Sequence, residues 1–195
     1  MAQLGLGFDD APTGELHRLF FALWPDDALR PRIAETAAWA VSEHAPGGRA
    51  LKPDKYHVTL QFLGDFRPLP PSLVESAKAA ASAVRSPAFD LSLDEVGSFR
   101  GADVWWLGSQ RAPDALRALF DSLGQRLAQH RVPVKSAANF VPHLTVQRDV
   151  RRHIRPTPVP PLTWPVREFV LIDSQPGRGT PYEVIGRWPL QAGNQ

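Results

Sequence analysis

Two short stretches of the chain hold the residue types that acid–base chemistry uses. "YHVTLQFLG" covers residues 56–64 and "PHLTVQR" covers 142–148, and each places a threonine two positions after a histidine. Side chains alternate along a strand, so His57 and Thr59 share one face, about 7 Å apart, while Val58 and Leu60 share the other. His143 and Thr145 repeat the arrangement with Leu144 and Val146 opposite. With 6 histidines and 7 threonines among 195 residues, random order yields roughly 0.2 such triplets. A lone His-x-Thr reads most simply as a core histidine beside a strand-favouring threonine. Two of them, each inside an apolar run with matching aliphatic neighbours, read as the two halves of one site.

The chemistry that wants two imidazoles and two hydroxyls is proton transfer on both sides of one centre. Imidazole titrates near neutrality, so one ring can accept a proton while the other, still protonated, donates one. Splitting a cyclic phosphodiester needs that division of labour: water is activated on one side while an alkoxide leaves on the other. Threonine hydroxyls can donate to the non-bridging oxygens and hold phosphorus in line. A bell-shaped rate profile with limbs on either side of about pH 6.5 is the expectation. Two histidines without an acidic cluster, a third ligand or a His-Glu-x-x-His arrangement make a poor metal site. No metal and no other cofactor is therefore expected. Neither threonine is favoured as nucleophile, because neither motif supplies a group to orient its histidine.

Other residues join the list with weaker warrants. Gln61 lies at an even offset from His57 and Thr59 and is expected on their face, with solvent exposure at a strand end the competing reading; Phe62, at an odd offset from Thr59, is expected in the core. Tyr56 and Phe140 flank the motifs and are candidates for stacking a nucleobase, although packing is the commoner fate of such aromatics. Arg151, Arg152, His153 and Arg155 either guide an RNA strand or keep a proline-rich loop solvated. His17, His44 and His130 fall at element ends and need no function. Of the adjacent Trp105 and Trp106, one should face the core and the other outward.

The elements that must position these groups follow from period and punctuation. "HRLFFALWP" (17–25) reads as a central strand, and 26–44 as a helix capped by Asp26 and stopped at Ala45–Pro46–Gly47–Gly48. The stretch 70–86 reads as a helix with a Ser72–Glu75 capping box. "FDLSLDEVGSF" and "VWWLGS" read as strands around an Arg100–Gly101 turn, and 112–130 as a helix with Leu116, Leu119, Phe120, Leu123 and Leu127 on one stripe. "RRHIRPTPVPPLTWP" reads as an irregular loop or extended segment, and "VREFVLIDS" with "PYEVIGRWP" as a closing hairpin around the turn "QPGRGT". Strands and helices mix without strict alternation, so the expected class is α+β with antiparallel sheets. Each half carries a helix, a loop and a His-x-Thr strand, which points to two related lobes.

Composition sets outer bounds. Hydrophobic residues at 43% and charged residues at 22% suit a soluble globular protein. The absence of cysteine excludes disulfides, thiolate metal sites and cysteine nucleophiles. No segment is long and apolar enough for a membrane span, and the first residues lack a signal-peptide pattern, so a cytoplasmic protein without membrane association is expected. Residues 1–16 read as a flexible extension, 17–190 as one domain and 191–195 as a tail. A monomer is expected. Of 22 basic residues 18 are arginine, which suits bidentate phosphate contact but also follows from coding bias.

The paired strands, "HVTLQFLGD", "FVPHLTVQR", "RLFFALWP", "VGSF…VWWLG" and "REFVLIDS…YEVIGRWPL" resemble the 2H phosphoesterases, within them the RNA 2′,3′-cyclic phosphodiesterases, also called 2′-5′ RNA ligase-like proteins. The resemblance covers about Arg18 to Leu190. It implies two pseudo-symmetric lobes, each an antiparallel sheet with outer helices, enclosing a cleft with one motif on each wall. It also implies hydrolysis of a ribose 2′,3′-cyclic phosphate to a 2′-phosphate, with RNA ends or cyclic nucleotides as substrate and, in reverse, 2′-5′ ligation. By resemblance His57 protonates the departing 3′-oxygen and His143 activates water. Arg148 stands where the family has a phosphate-binding arginine, but its odd offset from Thr145 turns it away unless a bulge brings it round. Two other readings fit the same residues: a non-catalytic RNA- or nucleotide-binding module, and the same chemistry on another cyclic nucleotide or a 2′-5′ oligonucleotide.

Overall fold

The apolar run near the start forms strand β1 (His17–Leu23), its last five residues buried. Asp26 does cap the helix that follows, its Oδ1 accepting from Leu29 N at 2.7 Å, but the helix α1 (Leu29–His44) begins after it rather than at it. The remaining elements of this computed structural model are β2 (Arg49–Ala50), β3 (Val58–Phe66), α2 (Pro71–Ser82), β4 (Phe89–Phe99), β5 (Val104–Gly108), α3 (Asp114–Gln129), β6 (Leu144–Arg148), β7 (Thr157–Val166), β8 (Glu168–Ser174) and β9 (Glu183–Pro189). Residues 14–99, 101–135, 139–177 and 182–192 are described. The expected extension at 1–16 therefore lies largely outside the described residues, as do Arg100 and much of the "QPGRGT" turn.

One local expectation fails and a second is resolved, each for an identifiable reason. α2 has no capping box: Pro70 precedes it and Pro71 occupies the first turn, where a missing N–H is harmless, so Ser72 sits inside the helix. The proline-rich stretch is loop only over 151–156; its remainder is extended as strand β7, paired antiparallel with β4 from Phe89↔Val166 to Val96↔Thr157. β7 closes one end of the sheet, and an edge strand tolerates prolines because half of its N–H groups have no ladder partner.

The strands run β7-β4-β5-β6-β3-β1-β8-β9, with β2 on β6. All named pairings are antiparallel, and the class is α+β as the sequence implied. Two four-stranded halves meet where β3 touches β6 at Val58↔Leu144, so the two expected lobes share one hydrogen-bonded sheet. Their helices are exchanged. α1, from the first half, packs towards β7, and α3, from the second, packs on β3 and against α2. The α3 stripe Leu116, Leu119, Phe120, Leu123 and Leu127 is buried as its period requires. One contiguous core joins helices and sheet. A smaller cluster of Phe20, Ala22, Val170 and Ile172 lies on the opposite face of β1 and β8. No helix among the described residues is long and apolar enough to cross a membrane.

Candidate active site

The site is built by two bulges at equivalent places. In the β1–β3 ladder Phe21 partners Gln61 and Ala22 partners Thr59, leaving Leu60 unpaired. In the β5–β6 ladder Trp105 partners Gln147 and Trp106 partners Thr145, leaving Val146 unpaired. An extra residue resets the alternation. Leu60 and Gln61 consequently both turn to the core, and Phe62 returns to the face of Thr59. Val146 and Gln147 both turn inward, and Arg148 returns to the face of Thr145.

The bulges overturn two expectations and satisfy a condition set on a third. Gln61 does not line the cleft: it is 3% exposed and donates through Nε2 to Phe120 O at 2.9 Å. Gln147 does the same on the other side, donating to Gly47 O. Phe62, expected in the core, lines the cleft. Arg148 reaches that cleft through the bulge its offset demanded.

Val58 opposite Leu144 in an antiparallel register sets His57 opposite Thr145 and Thr59 opposite His143. The two histidines thus occupy diagonal corners of a four-residue square. His57, Thr59, Phe62 and Arg148, with Phe20 and Tyr182, line a recess of about 340 Å³. Thr59 and Phe62 also wall an adjoining recess of about 220 Å³ that contains His143 and Phe140. Phe140 stacks on Phe120, centroids 4.1 Å apart, so one ring edge serves that recess while the face is taken. Tyr56 is the remaining correction. It is 3% exposed and packs on the α1 side, away from the recesses that hold the two histidines.

Each imidazole is fixed by its own strand. His57 Nδ1 lies 2.7 Å from Lys55 O and His143 Nδ1 lies 2.8 Å from Val141 O. A carbonyl only accepts, so both Nδ1 atoms carry the proton. Nε2 is then the working atom of each ring, a lone pair when the ring is neutral and a donor when it is charged.

Aromatic rings wall both histidines. Phe20 and Tyr182 stand 5.0 and 5.6 Å from the His57 centroid, and Phe99 meets His143 edge-on at 4.8 Å. This partial burial thins the water around each ring and disfavours the imidazolium. His57 is pushed down to about 4, mainly by burial, with lesser repulsion from His143 and Arg148 and partial relief from the Lys55 carbonyl. His143 is lowered chiefly by burial and secondarily by Arg148. The expected limbs either side of pH 6.5 therefore do not describe the free protein, in which both rings are neutral at pH 7.

Arg18, Phe20, Trp24, Phe99 and Tyr182 were not singled out from the sequence. Strand alternation in "HRLFFALWP" contained the signal for the first two, since Arg18, Phe20 and Ala22 share a face. Trp105 is fully buried in the core, and Trp106 takes the cleft face but is covered there by Phe99, centroids 5.3 Å apart. Arg152 donates to His44 O at the end of α1, and His153 pairs with Asp103 in the β4–β5 turn at 3.2 Å, which ties the loop to both neighbours. Among the described residues no cluster of three histidines or carboxylates has the geometry to hold a metal ion.

Comparison with known proteins gives a consistent picture. The chain is 33% identical, over 183 residues, to the RNA 2′,3′-cyclic phosphodiesterase of Escherichia coli K12, spanning 90% of this chain and 98% of that protein. The crystal structure of E. coli LigT complexed with 3′-AMP superposes with a TM-score of 0.71 at 30% identity, covering 91% of this chain and 99% of LigT. The crystal structure of TT0787 from Thermus thermophilus shares the fold, with a TM-score of 0.72 at 22% identity over 91% of this chain and all of that one. The family description that matches residues 25–178 is the 2′-5′ RNA ligase superfamily. With that match and the full-length likeness together, the chain belongs to the 2′-5′ RNA ligase superfamily.

Proposed function

We propose that the protein hydrolyses the 2′,3′-cyclic phosphate ends of RNA or nucleotides to 2′-phosphates by two-histidine acid–base catalysis. The observation that carries this reading is a pair of imidazoles at diagonal corners of one cleft, each with Nδ1 fixed as a donor to its own strand and Nε2 left free. Binding alone has no use for two such rings. The likeness to a cyclic phosphodiesterase over almost the whole chain supports the same substrate class.

In the cleft, Thr59, Thr145 and Arg148 hold the non-bridging oxygens, and Arg148 offers a two-pronged grip that a lysine lacks. His143 Nε2 takes a proton from water as the water oxygen bonds to phosphorus. The P–O3′ bond breaks, and His57 Nε2–H delivers its proton to the departing 3′-oxygen. The product is a 2′-phosphate with a free 3′-hydroxyl. Because the free protein keeps His57 neutral, its proton arrives with the substrate: an anionic phosphodiester beside the ring offsets the lost hydration. With a 5′-hydroxyl in place of water, the same transfers join a cyclic end to it: His143 Nε2 takes the hydroxyl proton, the 5′-oxygen bonds to phosphorus, and P–O3′ breaks as His57 protonates the 3′-oxygen, which is the 2′-5′ ligation the family name describes. Both proton transfers are supplied by the chain, so turnover is expected in EDTA.

The test is a phosphorus NMR time course with a nucleoside 2′,3′-cyclic phosphate. The wild type should release the 2′-phosphate, while His57→Ala and His143→Ala should each lose at least about 10³-fold with circular dichroism unchanged. Full turnover in either variant would sink the two-histidine mechanism, and a 3′-phosphate product would reverse the assigned leaving group. Tight binding without turnover would favour the non-catalytic module instead.

A further inference from the structure

We propose that a second, basic recess beside the catalytic one binds the 5′-phosphate of the terminal nucleotide, so that the favoured substrate presents two phosphates. This deepens the proposed function and rests on it. The recess has a volume of about 280 Å³ and shares Arg18, Arg148 and Tyr182 with the catalytic recess. Arg49 and Lys55 complete its charge: among the described residues four cations line it and no carboxylate does.

Structural ties explain only part of this convergence. Arg18 is held by Asp65 at 2.8 Å and Arg49 by Asp149 at 2.6 Å. Neither Lys55 nor Arg148 has a carboxylate partner among the described residues; the Lys55 ammonium lies 5.4 Å from the Tyr182 ring centroid. The β2–β6 pairing sets Arg49 directly opposite Arg148, two guanidinium side chains on adjacent strands. Like charges in register across a ladder repel, and an anion between them converts that repulsion into attraction.

The placement selects the ligand. Phosphorus in the catalytic recess sits on the 2′,3′ edge of a ribose, and the 5′-phosphate lies across that same sugar ring. A basic hollow that shares walls with the catalytic recess is within one sugar of it. Tyr182 stands between the two, with an edge on His57 and a hydroxyl-bearing ring towards Lys55, where it borders the ribose. RNA ends carry this 5′-phosphate in every internal linkage, whereas a cyclic mononucleoside phosphate lacks it.

The experiment compares a nucleoside 2′,3′-cyclic phosphate with its 5′-phosphorylated form at constant ionic strength, using wild type, Arg49→Ala, Lys55→Ala and the double variant. The 5′-phosphate should raise wild-type kcat/KM about tenfold, chiefly through KM; the double variant should lose that gain, and Arg49→Ala, at a residue that touches neither histidine, should lose part of it while hydrolysing the unphosphorylated substrate within about twofold of wild type. No gain in the wild type, or an equal fall on both substrates in the variants, overturns the proposal. Calorimetry with a nucleoside 3′,5′-bisphosphate and the matching 3′-monophosphate supplies an arm independent of turnover. If neither cyclic substrate is hydrolysed, the proposed function falls, but selective weakening of the bisphosphate in the double variant still supports the recess, and equal weakening of both refutes it.

Discussion

Acidification should cost this protein stability at His57, by an amount the structure sets. His57 has a folded pKa of about 4 against an ordinary 6.5. Its folded value is depressed, so the stabilising contribution is complete above pH 6.5 and is lost as pH falls towards 4. At about 1.4 kcal/mol per unit, the shift amounts to about 3 kcal/mol in the limit of low pH, of which somewhat more than 2 kcal/mol is gone at about pH 4.5. The loss exists because protonation places a cation where burial beside Phe20 and Tyr182 withholds water from it, with His143 and Arg148 adding repulsion. His57→Asn removes the titration and keeps an amide donor where Nδ1 now reaches Lys55 O. Urea unfolding of both proteins at pH 7.0 and 4.5 isolates the ring, since carboxylates contribute equally to each. The wild type should lose about 2 kcal/mol more than the variant between the two pH values. Equal losses, within the roughly 10–15% uncertainty of linear extrapolation, would refute the claim that enclosure holds His57 neutral.

Three more measurements bear on the site. Both imidazoles lie below 6.5 in the free protein, and the active form carries one proton between them, so kcat/KM should peak on the acid side of pH 6.5 with kcat peaking higher; coincident maxima at or above 6.5 would contradict the reading. Arg148→Ala should cut kcat/KM about 10²- to 10³-fold, and Arg148→Lys should recover only a small part, because a single ammonium does not replace a two-pronged grip; full recovery would show that charge alone matters. A Cβ at Gly97 would sit 2.4 Å from the Trp106 ring, so Gly97→Ala should destabilise the fold by about 1–3 kcal/mol in thermal denaturation, and an unchanged Tm would mean the indole is free to move.

The His-x-Thr quartet was legible because it is a local pattern repeated: alternation alone puts His57 with Thr59 and His143 with Thr145. What alternation could not give was everything beyond the next residue. Leu60 and Val146 look like ordinary strand positions, yet each is an inserted residue whose effect is to swap the fates of Gln61 and Phe62 and to aim Arg148. Nothing in either tripeptide announces an insertion, because a bulge is decided by the partner strand. The repeat "TLQF" and "TVQR" held an indirect clue, since two glutamines at matched positions suggest buried hydrogen bonds rather than two exposed ends. β7 was left between loop and extended segment for a related reason: its prolines argue against a central strand, and only the sheet order shows that it lies at an edge. Tyr182 comes to His57 through tertiary contact from a segment with no motif of its own.

The exchange of helices between halves has a mechanical corollary. Gln61 on the first half grips α3 of the second, while Gln147 on the second half grips the segment just after α1 of the first. Opening the cleft by swinging one half away would tear both amide contacts and pull each helix from the strand it covers. The walls behave as one braced frame rather than as jaws. What remains free to swing is side chains, such as those of Arg148 and Lys55, within an aperture of fixed width.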